Sequence, residues 1–82
     1  MNCNKRLCSY LRKARLRTSM TQKSVAKRLG YSSPQFISNI ERGLCTPPVD
    51  KLKVLIKIYD LDKEDLIAII LQENERLLRK KL

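Results

Sequence analysis

The stretch from Thr21 to Gly43, TQKSVAKRLGYSSPQFISNIERG, reads as two short helices joined by a tight turn. Thr21 is a favoured cap, because its side-chain oxygen can take one of the backbone N–H groups that the first helical turn leaves unpaired. Val25, Ala26 and Leu29 follow at helical spacing. Gly30 stops this helix, since the residue after a helix commonly turns left-handed and glycine does so without penalty. Ser33 then serves as a second cap, and Pro34 suits the first position of a new helix, where no amide hydrogen is required. On that second helix Phe36, Ile37, Ile40 and Glu41 fall on one face, and Gln35, Ser38, Asn39 and Arg42 on the opposite one.

The outward face of the second helix is therefore polar, rich in side-chain amides and almost free of acid. Those are the groups needed to read base edges in a major groove. The segments LRKARLRTSMTQ (Leu11 to Gln22), VAKRLG (Val25 to Gly30), ISNIERG (Ile37 to Gly43) and the proline that follows resemble the Cro/repressor-type helix-turn-helix family of DNA-binding proteins. The resemblance runs from about Leu11 to Leu61, with its segments in the family's order. It implies an all-α, five-helix lambda-repressor-like domain that binds duplex DNA. There are two departures. The turn Gly30-Tyr31-Ser32-Ser33 is one residue longer than the commonest family turn, and Pro34 stands where relatives often carry a base-reading Gln.

Charge points the same way. Residues 1–49 carry ten Lys/Arg against one acid, Glu41, whereas residues 50–82 carry eight Lys/Arg against seven acids, so that +9 of the net +10 lies in the first half. A field concentrated on one half selects a polyanionic partner, and its coincidence with the two-helix stretch makes nucleic acid the expected one. Eighty-two residues make one domain with a limited core. The expected division is a core of about residues 5–61 and a C-terminal helix over 62–82. No apolar run approaches the ~20 residues of a membrane span, and no signal peptide precedes the first helix, so a cytoplasmic, nucleoid-associated protein is expected. Cys3, Cys8 and Cys45 are odd in number, lack C-x-x-C spacing and have no His beside them. They read as three reduced thiols, with no metal site and no cofactor.

Taken in order, residues 1–4 read as a frayed lead-in to a first helix from about Lys5 to Arg17, with Leu7, Tyr10, Leu11 and Ala14 in one buried stripe. Arg15 lies at its edge. The resemblance pairs this Arg with Glu41, and elementary electrostatics agrees, because the only acid in the basic half shares a face with Ile37 and a buried carboxylate needs a partner. Met20 fills a gap in the core. The start of the second helix is an anion site by virtue of its free amides. The expected phosphate contacts are Thr21, Gln22 (by family position), Lys23 and Lys27, with Ser33, Arg42 and, again by resemblance, Thr46; Arg28 faces solvent. Base reading falls to Gln35, Ser38 and Asn39, with an apolar contact at most from Pro34. Tyr31 reads as half-buried in the turn, and Phe36 as core.

Residues 44–48 cannot form regular helix, because Pro47 and Pro48 bias their predecessors away from it. A fourth helix is expected from about Pro48 or Val49 to Tyr59, burying Leu52, Leu55, Ile56 and Tyr59, with Leu61 packed at the turn. Asp62-Lys63-Glu64-Asp65 marks a clear helix start, and no Gly or Pro interrupts the chain thereafter. In this fifth helix Ile67, Ile70, Asn74, Leu77 and Lys81 follow a 3-4-3-4 spacing with Leu71 and Leu78 alongside, a seam suited to helix pairing in which Asn74 can fix register. The reading is a sequence-specific regulator, a repressor acting as a homodimer on a palindromic operator. The alternative is a DNA-binding antitoxin or accessory subunit whose C-terminal helix holds a partner protein. An enzyme is not expected: there is no His, no Gly-rich phosphate loop and no inward acid pair. Four aromatics at mostly core-like positions do not make a single-strand RNA platform. The first helix lacks the bulky apolar face of a membrane binder, and no small-molecule substrate is indicated.

Overall fold

The computed structural model describes residues 5–82, over which the chain forms five helices and no strand. The expected frayed segment, residues 1–4, lies outside the described residues. Helix α1 spans Lys5–Arg17 and buries Leu7, Cys8, Leu11 and Ala14, with Tyr10 half-buried against the same core. Helix α2 spans Gln22–Arg28, capped by the Thr21 hydroxyl, which accepts the Ser24 N–H at 3.0 Å. Its other end closes as expected for a left-handed glycine. Gly30 takes φ +89, its N–H donating to Lys27 O at 3.1 Å and that of Tyr31 to Ala26 O at 2.9 Å. A Cβ at Gly30 would meet nothing within 4 Å, so glycine is required there by conformation and not by space.

Helix α3, Gln35–Glu41, starts one residue later than the Ser33-Pro34 reading. Pro34 has nearly helical angles (φ −77, ψ 0) and its carbonyl accepts the first helical bond from Ser38 N–H at 3.0 Å, but it precedes the helix instead of opening it. Ser33 Oγ makes only a long bond of 3.4 Å with Gln35 N–H. Gly43, with φ +81, ends α3 by the same device as Gly30, passing the Leu44 N–H back to Asn39 O at 2.8 Å. Helix α4 covers Val49–Tyr59 after the irregular 44–48 segment. It buries Leu55 and Tyr59 fully and Leu52 and Ile56 in part, ending on left-handed Asp60. Helix α5 covers Lys63–Lys81, with the Asp62 carboxylate accepting N–H groups from Glu64 (2.8 Å) and Asp65 (3.4 Å).

Helix α3 packs on both α1 and α2, and α5 returns against α1. Val25, Leu29, Ile37 and Ile40 from that stretch meet Leu7, Leu11, Leu55, Tyr59 and Leu66 in one core. One expectation fails at the rim. Cys8 is disulfide-bonded, and only Cys45 among the described residues is free, so the chain does not carry three reduced thiols. An odd number of cysteines excludes a fully paired framework but not a single bridge.

Candidate nucleic-acid interface

Beneath α3 lies an ion pair that sets its position. Arg15 Nε donates to Glu41 Oε2 at 2.6 Å, a terminal nitrogen of the same guanidinium donates to Glu41 Oε1 at 3.0 Å, and the other reaches Met20 O at 2.8 Å. Gln22 Nε2 adds a third bond to the carboxylate, at 3.0 Å to Oε1. The side chains of Arg15 and Glu41 are only 11% and 5% exposed. The bond to Glu41 raises the Arg15 pKa further, against the opposing effect of burial. One carboxylate thus joins α1, the start of α2 and the end of α3, which fixes the angle between the two helices.

Above this lock the polar face of α3 is open. Ile37 and Ile40 are buried and Phe36 half-buried, whereas Gln35 is exposed and Ser38 and Asn39 lie at the margin. Gln35 Nε2 donates to Asn39 Oδ1 at 2.8 Å, an i,i+4 bond along the helix surface. The two amides are therefore ordered relative to each other before any ligand arrives. The Gln35 carbonyl and the Asn39 amino group are still available, and a donor–acceptor set of that kind matches the N6/N7 edge of adenine. Exposed Pro34 presents only carbon at the head of this face.

The expected phosphate contacts are distributed around it. Lys23 and Lys27 are exposed on α2, Ser33 in the turn, Arg42 at the end of α3 and Thr46 in the following loop, while Arg28 is exposed as expected. Thr21 and Gln22 are partly spent internally, the first on its capping bond and the second on Glu41. Gln22 keeps one N–H and its carbonyl for a ligand. The turn between the helices is braced by a contact that sequence reading missed. Lys51, on α4, donates from Nζ to Leu29 O at 3.1 Å and stands 5.2 Å from the centre of the Tyr31 ring, which itself packs on Phe36 at 4.5 Å. No local pattern marks Lys51, because its partners are 20 or more residues away.

Helix α5 divides the expected seam between two environments. Ile70 is half-buried, and Leu77 borders a groove of about 830 Å³ between α5 and the segment after α3. Ile67, Leu71 and Leu78 face away from the domain, with Leu71 60% and Leu78 58% exposed, and exposed Asn74 stands on the rim of the groove. Glu73, also unremarked in the sequence, turns inward and is closed by Arg76, whose guanidinium holds its carboxyl below the usual range. The i,i+3 spacing of Glu73 and Arg76 was the signal for that pair. On the other side, Arg6 bonds Gln72 and ties α1 to α5.

No helix of the described residues is long and apolar enough to cross a membrane, and no cluster of His, Cys, Asp or Glu among them could hold a metal ion. No curated protein and no solved structure matches the chain. A family model described as a helix-turn-helix domain matches residues 6–68, from the first turn of α1 into α5. With the two-helix unit, its left-handed glycines and its open polar face in place, the chain belongs to the helix-turn-helix domain family of the XRE/Cro-like kind, whose members bind DNA.

Proposed function

We propose that the protein is a sequence-specific regulator of transcription, a repressor that binds a palindromic operator as a homodimer. The observation that carries the reading is the coupled pair Gln35 and Asn39 on the uncovered face of a helix whose tilt is locked by Glu41. Phosphate contacts from Lys23, Lys27, Ser33, Arg42 and Thr46, with the remaining donor of Gln22, set the register, and Gln35, Ser38 and Asn39 read bases. Two copies place their α3 helices in successive major grooves and block polymerase sterically. The outward stripe of α5 supports the dimer, because the half of the chain that carries it has a net charge of only +1 and two copies can meet there without strong repulsion. The same stripe favours a second reading, in which α5 holds a different protein and the domain acts as an antitoxin or accessory subunit. Selection of bound sites from random duplex DNA tests the proposal: enriched palindromes are expected, single half-sites would remove the dimer, and no enrichment would remove specific binding.

A further inference from the structure

A second cationic surface lies at the end of α3, where α1 borders it. Lys5, Ser9 and Arg12 of α1 line an open cleft of about 230 Å³ whose other wall is Arg42 and Gly43 at the end of α3, with disulfide-bonded Cys8 between them. Lys5 and Arg12 are seven residues apart and so fall on one edge of α1, two turns from each other. Lys5, Arg12 and Arg42 are exposed, and none forms an ion pair among the described residues. The one acid bordering the cleft is Glu41, whose two oxygens are held by Arg15 and Gln22. It does not compete for these cations or repel an anion. Three unpaired cations and a hydroxyl around a neutralised acid make a site for a phosphodiester. The neighbouring groove along α5 shares Lys5 and Arg42 with the cleft and adds Lys80, but apolar Leu7, Ile70 and Leu77 line it as well, and its acid, Glu73, is closed by Arg76.

We infer that Lys5, Ser9 and Arg12 of α1, with Arg42 of α3, grip the phosphate backbone of the duplex beyond the end of the recognition helix. The inference rests on duplex binding by α3 and adds α1 to the contact surface. Arg42 belongs to both surfaces, so the backbone strand that α3 sits against continues into the cleft. In this role α1 lengthens the footprint and raises the number of neutralised phosphates without changing the sequence preferred.

The test is the salt dependence of binding to a fixed duplex by the full chain, comparing the parent with K5A, R12A and the double variant. K13A and R17A are controls from another edge of α1, about 100° round the helix. Each cleft change is expected to lower the slope of log K against log salt by ~0.9, and the double change by about twice that. Between 1 M and 0.1 M salt each lost contact is then worth about 8-fold in affinity. The preferred sequence should stay the same, and the controls should keep the parental slope. All four residues are exposed, so thermal melts should coincide and loss of fold does not confound the comparison. A parental slope in the double variant, or an equal drop in the controls, overturns the site while leaving duplex binding by α3 intact. Failure of the parent to bind any duplex would instead overturn the function on which the site rests.

Discussion

At the scale of single residues the domain depends on Glu41. Its carboxylate takes three bonds while nearly excluded from water. Removing one partner of such a pair strands a charge in the interior, which costs about 3–5 kcal/mol. In a domain of this size, Glu41→Ala should lower the melting temperature by at least about 12 °C. Replacing both members, as Arg15→Met with Glu41→Leu, should recover much of the loss, because neither charge is then buried alone. A melt of Glu41→Ala coincident with that of the parent would show that the pair contributes nothing. Tyr59 gives the residue scale a pH dependence. Burial, then the nearby Glu41 charge, pushes its phenol from 10.0 up to about 12, with Arg15 opposing. The raised value means that the folded state holds the proton more tightly than the unfolded chain. The associated stability is complete below pH 10 and is lost as the pH climbs towards 12, amounting to about 2–3 kcal/mol. Denaturant midpoints measured from pH 9 to 12 should therefore fall less steeply for Tyr59→Phe than for the parent, and parallel curves would remove the phenol as the cause.

At the scale of elements, the proposed readout falls on α3. Gln35→Ala or Asn39→Ala should each cost ~1–3 kcal/mol on the selected site and little on random DNA. Because the two side chains bond each other, the double change should cost less than the sum of the single ones. Equal losses on specific and random DNA would take both residues off the reading face. Much of this scale was legible in the chain. The caps Thr21 and Asp62, the left-handed Gly30 and Gly43 and the 3.6-residue spacing of apolar side chains all act locally, and the helices formed where those signals stood. The start of α3 came one residue late, because a proline at a helix entrance satisfies the turn and the first helical position almost equally. What could not be read were contacts made across space. Lys51 on the turn, Gln22 turned towards Glu41 and the bridge at Cys8 depend on which elements meet. The disposition of α5 was only half legible for the same reason. A 3-4 repeat shows that a helix has an apolar stripe, but which edge of it the domain covers depends on the crossing with α1.

At the scale of the whole molecule α5, a helix about 28 Å long, leaves Ile67, Leu71 and Leu78 in solvent. The seam read from the sequence centred on Ile67, Ile70, Asn74, Leu77 and Lys81. The crossing with α1 draws Ile70 towards the core and sets Leu77 beside the groove, so the open stripe is displaced to Ile67, Leu71 and Leu78, with Asn74 between it and the groove. Those four keep a 4-3-4 spacing, the pattern of helix pairing, with Asn74 inside it to fix register at some cost in stability. Two heptads are too few for a coiled coil that stands alone. A dimer built here must therefore draw its stability from the folded domains that deliver the helices, and it should be in reversible equilibrium with monomer. Leu71→Asp with Leu78→Asp places two carboxylates in the stripe and touches none of the buried core, so a folded monomer is expected, with a parental helical spectrum and weak binding to single half-sites. Leu77→Asp alone, at the groove, should leave the association intact. Sedimentation would decide between the arrangements: a monomer for the double variant and a dimer for Leu77→Asp place the interface on the outward stripe. The reverse pattern would move it into the groove, and a dimer in both would remove α5 from the interface altogether.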